Sequence, residues 1–228
     1  MKKLLVINPN ASESMTRSIA QTVAAHQSAG FAAEVIRNPK APEVLESFAD
    51  YTQAGHEVLA LLNQLPLTGY HGIVLACFGD PCLEALKEKA PVPVVGIAEA
   101  SMALALLLGY KFSILAAVDK AATMMEQLVL KNGLKSRLAS VESLNLSIEA
   151  MLAAPELLKE KVLERGAHAI NQGCEVLIYG CAGMTMLSTA ELSQHLGIPV
   201  LDPVVCGLTA IEGIVGHGLG VSRQGLYR

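Results

Sequence analysis

Gly72-Ile73-Val74-Leu75-Ala76-Cys77-Phe78-Gly79 and Val176-Leu177-Ile178-Tyr179-Gly180-Cys181-Ala182-Gly183 are two versions of one phrase. Each is an unbroken apolar run, the pattern of a strand covered on both faces. Each ends in Cys-x-Gly and leads into a helical pattern. Downstream, Pro91–Ile97 matches Gly197–Pro203, with Pro93 lying 16 residues past Cys77 and Pro199 lying 18 past Cys181. Upstream, Leu4–Asn10 pairs with Ile114–Lys120. A repeat of this kind predicts two similar lobes.

Further short runs rich in Val, Ile and Leu read as strands: Lys3–Ile7, Ala33–Arg37, Val92–Ile97, Phe112–Val118 and Pro199–Leu201, with Ala139–Leu144 weaker. Helical patterns lie between them, at Ser12–Ala29, Asp50–Leu65, Cys82–Lys89, Ser101–Leu108, Lys120–Asn132, Pro155–Gln172, Ser188–His195 and Val204–His217. Strands alternating with helices predict an α/β fold of two pseudo-symmetric lobes, each a mostly parallel sheet flanked by helices. Residues 1–97 with a C-terminal region of about 203–228 form one lobe, and 98–202 the other. No low-complexity linker marks the join, and Leu107–Phe112 is an alternative place for it.

Composition narrows the function. Of 228 residues, 52% are hydrophobic and 17% charged, enough apolar material for buried cores. Aromatics are 4%, Trp is absent and the formal charge is −4, which argues against a nucleic-acid partner. The apolar run Leu4–Ile7 is too short for a signal peptide and Met102–Leu108 too short for a membrane span, so a cytoplasmic protein without a membrane partner is expected. Five cysteines read as reduced thiols. Six scattered histidines lack metal-ligand spacing, so neither a metal nor another cofactor is expected. Gly216-His217-Gly218-Leu219-Gly220 follows a helix and reads as a chain turn.

The two repeated cysteines carry the chemistry. Ligands of open α/β sheets bind outside the carboxyl ends of the strands, where Cys77 and Cys181 are expected. A glycine two residues on lets the backbone approach a ligand. A following helix favours a thiolate. With the lobes facing each other and the active site between them, one thiolate removes a proton from a small substrate while the opposite thiol delivers one to the other face. The oxyanion of a neighbouring carbonyl is held by backbone N–H groups after each cysteine. Cys174 and Cys206, on helical patterns, read as core, and Cys82 as an adventitious redox neighbour of Cys77. Asp80 reads as a cap for the helix after Cys77, ahead of the alternative that it orients a loop. Asn8, at the end of the first strand, reads equally as turn chemistry and as a substrate contact.

The sequence resembles the aspartate/glutamate/hydantoin racemase superfamily, and within it the hydantoin and allantoin racemase branch. The resemblance runs through Ile7-Asn8-Pro9-Asn10 with Ser14-Met15-Thr16, Glu46-Ser47-Phe48-Ala49-Asp50, Ala76-Cys77-Phe78-Gly79-Asp80-Pro81, Gly180-Cys181-Ala182-Gly183-Met184 and Ser222–Tyr227. It implies a cofactor-independent racemase acting on a small molecule and assembled as a homo-oligomer, with Cys77 and Cys181 catalytic. It also implies that Asn8, Phe78, Gly79, Asp80, Ala182, Gly183 and Met184 line the substrate cavity. Cys82 stands where relatives carry a small residue, often Gly. Ala116-Ala117 stands where relatives often carry hydroxyl residues. Amino-acid racemases of the superfamily usually follow the cysteine with Asn or Thr; Phe78 and Ala182 depart from that and favour a cyclic ureide. The alternatives are an aspartate or glutamate racemase, a decarboxylase or isomerase of the same superfamily, and a non-catalytic binding protein. Glu46 and Asp50 read either as a pin for a loop over the site or as a solvated helix start.

Overall fold

A computed structural model describes residues 1–228, the side chain of Leu152 excepted. The chain divides into two compact units, Met1–Ile97 with Val204–Arg228 and Ala98–Pro203. The division falls at the start of one helix and of another, not at Leu107–Phe112.

In the first unit, strands β1 (Lys2–Asn8), β2 (Phe31–Arg37), β3 (Tyr70–Leu75) and β4 (Val94–Gly96) form a parallel sheet in the order β2-β1-β3-β4. Helices α1 (Glu13–His26), α2 (Phe48–Gln64) and α3 (Leu83–Lys89) make the crossovers. Parallel strands need such crossovers, whose common hand puts helices on both faces when the chain reverses direction across the sheet. The reversal lies between β1 and β3. Leu5, Ile7, Ile73 and Leu75 are fully buried and pack with Val58 and Leu62 of α2 and Leu83 and Leu86 of α3.

The C-terminal helix α9 (Pro203–Gly216) returns to this sheet. A Cβ on Gly72 would lie 2.7 Å from Ile211, and one on Gly207 would lie 3.0 Å from Val74, so these glycines permit the close approach. Buried Glu212 accepts hydrogen bonds from the backbone N–H (2.9 Å) and hydroxyl (2.5 Å) of Ser28, and Lys2 Nζ donates to the Val215 carbonyl at 2.5 Å.

The second unit repeats the plan. Strands β5 (Phe112–Ala116), β6 (Leu138–Ser143), β7 (Val176–Tyr179) and β8 (Val200–Leu201) form a parallel sheet in the order β6-β5-β7-β8. Its helices are α5 (Asp119–Lys131), α6 (Ile148–Ala153), α7 (Pro155–Asn171) and α8 (Thr189–Leu196), with α4 (Ile97–Leu108) leading into it. Leu115, Leu177, Tyr179, Met151, Leu158 and Val162 are buried in one cluster. The short helix α6, capped by Ser147 accepting from Ala150 N–H, is absent from the sequence reading.

All eight strands of the sequence reading are present, so the chain has the expected α/β fold of two four-stranded parallel sheets. One correction concerns the repeat. Ala76 N–H donates to Ile7 O and Gly180 N–H to Leu115 O, both at 2.8 Å. Ile7 therefore matches Leu115 and Asn8 matches Ala116, a shift of two residues from the pairing of Leu4–Asn10 with Ile114–Lys120. No helix among the described residues is long and apolar enough to cross a membrane.

Candidate active site

In each unit the chain reverses direction between the two central strands, and there the carboxyl ends of neighbouring strands open a crevice. In the first unit these are the ends of β1 and β3, carrying Asn8 and Cys77. In the second they are the ends of β5 and β7, carrying Ala116 and Cys181.

The two cysteine loops share one hydrogen-bond frame. Ile73 N–H donates to Pro93 O, and Leu177 N–H to Pro199 O, each at 2.9 Å. Past the cysteine, Asp80 N–H donates to Cys77 O at 3.0 Å and Met184 N–H to Cys181 O at 3.1 Å. Leu83 N–H then donates to Asp80 O at 3.2 Å and Leu187 N–H to Met184 O at 3.0 Å. Matched turns thus follow matched strands, and each cysteine stands at the first position of its turn.

Both cysteines are half-buried. The Gly183 N–H donates to Cys181 Sγ at 3.3 Å, across a single 3-10 turn at Ala182–Met184. An N–H aimed at sulfur favours the charged form. Each cysteine is set off from the helix that follows it, as the helical patterns starting at Cys82 and Ser188 imply. Cys77 is separated from α3 by five residues, and Cys181 is followed by the 3-10 turn, with α8 starting only at Thr189.

The other residues singled out from sequence fall as follows. Asn8 is 1% exposed, and its Nδ2 donates to Asn10 Oδ1 (2.7 Å) and Thr16 Oγ1 (2.9 Å), while its Oδ1 accepts from Asn10 N–H (3.4 Å). Its carboxamide therefore knits the turn between β1 and α1. Phe78, Asp80, Ala182, Gly183 and Met184 are buried, and Gly79 is half-buried. Asp80 lies two residues ahead of the N-cap of α3. The N-cap position there belongs to Cys82, without a side-chain bond. The Asp80 carboxyl lies against Gly96, where a Cβ would stand 2.4 Å from its Cγ. Asp80 and Cys82 both adopt positive φ, 42° and 56°.

The space over Gly79 is occupied by Tyr51 of α2, a residue the sequence reading passed over. A Cβ at 79 would lie 2.3 Å from Tyr51 Cε2 and 2.7 Å from its hydroxyl oxygen. The glycine thus makes room for a phenol from its own unit. Glu46 and Asp50 belong to the capped start of α2: Ser47 Oγ accepts from Asp50 N–H and Asp50 Oδ2 from Glu46 N–H, both at 3.1 Å.

The remaining cysteines are quiet. None of the five forms a disulfide. Burial, then the nearby Glu84 charge, pushes the Cys82 thiol up to about 12. Burial also raises the Cys174 thiol, which donates to Val176 O at 3.2 Å. Cys174 stands in the turn after α7, not on a helix, and Cys206 is buried in α9. Ala116 and Ala117 are buried, and the Ala116 carbonyl accepts from Leu144 N–H at 2.9 Å. Among the described residues, no group of three or more His, Cys, Asp or Glu side chains is placed to hold a metal ion.

Comparison with known proteins places the fold and the family. The family model described as Asp/Glu/Hydantoin racemase matches residues 4–211. A hydantoin racemase of Paenarthrobacter aurescens is 33% identical over 99% of this chain and 96% of its own. The solved allantoin racemase of Klebsiella pneumoniae has a TM-score of 0.93 and 30% identity, covering 100% of this chain and 93% of that one. The allantoin racemase of Pseudomonas fluorescens also has a TM-score of 0.93, with 27% identity, covering 99% and 95%. The chain belongs to the Asp/Glu/hydantoin racemase family.

Proposed function

We propose that this protein interconverts the enantiomers of a 5-substituted hydantoin or of allantoin, with Cys77 and Cys181 transferring the protons and no cofactor taking part. The observation that carries the reading is the common hydrogen-bond frame around the two cysteines. A pair of thiols held alike in two similar units suits a reaction whose two directions are mirror images.

In the forward direction one sulfur, as thiolate, removes the proton from the carbon beside the carbonyl. The electron pair moves onto the carbonyl oxygen. The other sulfur, as thiol, returns a proton to the opposite face, and the double bond collapses back to the carbonyl. The two sulfurs have then exchanged protonation states and are set for the other enantiomer. General acid–base steps of this kind contribute roughly 10²–10⁴-fold each. The N–H groups of Asp80 and Met184 are spent closing the turns. Under this reading the oxyanion is served by the N–H groups after each cysteine, those of Phe78, Gly79 and Ala182. The Gly183 N–H steadies the Cys181 thiolate.

Family membership supports racemisation. The named relatives, together with Phe78 and Ala182 beside the cysteines, support a cyclic ureide over aspartate or glutamate. Five cysteines outside any disulfide suit a reducing, cytoplasmic setting. Assembly as a homo-oligomer belongs to the same reading. Polarimetry on separate enantiomers of a 5-substituted hydantoin, allantoin and aspartate, with no cofactor added, tests it. Decay of rotation for a ureide is expected. Decay for aspartate alone, or for none of the three, contradicts it.

A further inference from the structure

We propose that Tyr51 is a positioning residue for the Cys77 half of the reaction, acting as one jaw of a clamp by which α2 holds a strained loop. The inference rests on the proposed role of Cys77.

Asp80 and Cys82 are two of the three non-glycine residues with positive φ among the described residues. An L-residue in the left-handed region crowds its Cβ against the following carbonyl oxygen and is strained. Such strain persists only where the surroundings over-determine it, and it collects at functional loops. The matching loop after Cys181 holds no such residue among those described. The first unit alone must pin its cysteine loop by force.

Helix α2 supplies the pin. Tyr51 and Gly55 stand one turn apart on it, on the same face. Tyr51 fills the space over Gly79, and Cys82 fills the space over Gly55, where a Cβ would lie 2.9 Å from Cys82 Cβ. Large meets small twice, with the sizes reversed between helix and loop. Sliding the loop in either direction would drive a side chain into a backbone. The helix end that carries Tyr51 is itself fixed, because Ser47 caps it and Tyr51 N–H donates to Ser47 O at 2.9 Å. The two contacts bracket Asp80 and lie within five residues of Cys77. They therefore fix where the sulfur points and where the N–H groups after it are aimed. Displacement of a reacting group by an ångström costs on the order of 100-fold in rate.

The test compares Tyr51→Ala, Tyr51→Phe and Cys77→Ala in the full chain. Two readouts are taken: racemisation rate, and the alkylation rates of Cys77 and Cys181 by iodoacetamide, resolved by peptide mass spectrometry. Tyr51→Ala is expected to lower kcat by about 10–100-fold with a smaller change in KM. It should also change alkylation at Cys77 by severalfold while leaving Cys181 within about twofold. Tyr51→Phe keeps the ring and should lose far less. Should Tyr51→Ala fail to fold, Gly79→Ala, whose added methyl expels the ring, must give the same selective change at Cys77. Equal alkylation changes at both cysteines would reduce Tyr51 to general stability and overturn the proposal. So would a loss in Tyr51→Phe as large as in Tyr51→Ala. Full activity in Cys77→Ala would instead overturn the role of Cys77, whatever the labelling shows.

Discussion

The carboxyl group of Asp80 lies where a side chain on Gly96 would stand, 2.4 Å from the position of a Cβ there. The repeat makes Asp202 the counterpart of Gly96, and Met184 the counterpart of Asp80. Each unit thus sets one buried carboxylate at this end of its sheet, from the cysteine loop in one and from the residue after the last strand in the other. Asp80 is 4% and Asp202 8% exposed.

Gly96→Ala should therefore destabilise the protein by about 1–3 kcal/mol, the usual cost of overpacking. Urea unfolding checks it. In an Asp80→Ala background the same change should cost much less, because the group it strikes is gone. Equal costs in both backgrounds would mean that the contact is not what glycine at 96 serves.

Tyr179 offers the opposite sign. Its hydroxyl is buried and has no hydrogen-bond partner, and burial, with the nearby Asp202 charge, raises its proton affinity. A buried polar group left unpaired costs about 1–3 kcal/mol. Tyr179→Phe should leave Tm unchanged or raise it. A loss above about 1 kcal/mol would show that the hydroxyl is satisfied.

Cys82 predicts a slope with pH. Its thiol is held up at about 12 in the folded chain by burial and by Glu84, above the ordinary thiol value of about 8.5 reached on unfolding. Between those values the folded state binds more protons than the unfolded, so stability falls as pH rises through the interval. Cys82→Ala should flatten the part of the fall due to this group, as read by denaturant midpoints from pH 8 upward. An unchanged slope would contradict the assignment.

The strands were legible because parallel strands buried on both faces must be continuous apolar runs, and Val176–Tyr179 and Phe112–Ala116 are little else. The duplicated Cys-x-Gly was legible for the same reason, since it ends two such runs. Local turn geometry was not. Cys82 takes a left-handed conformation that its chemistry gives no sign of, with its side chain packed over Gly55 of α2. Gly79 pointed to a ligand's approach, yet Tyr51, 28 residues earlier, takes the room. The upstream repeat was misaligned by two residues because Asn8 and Ala116 share a place and no chemistry.

Two sulfurs working as partners are the core of the proposed reaction. Cys77→Ser and Cys181→Ser, each incubated with single enantiomers in deuterium oxide, test this most directly, with rotation and loss of the α-proton followed together. Each variant should lose racemisation by at least about 100-fold, and any residual exchange should be confined to one enantiomer, opposite for the two variants. Racemisation at the parent rate by either variant would contradict the two-thiol mechanism.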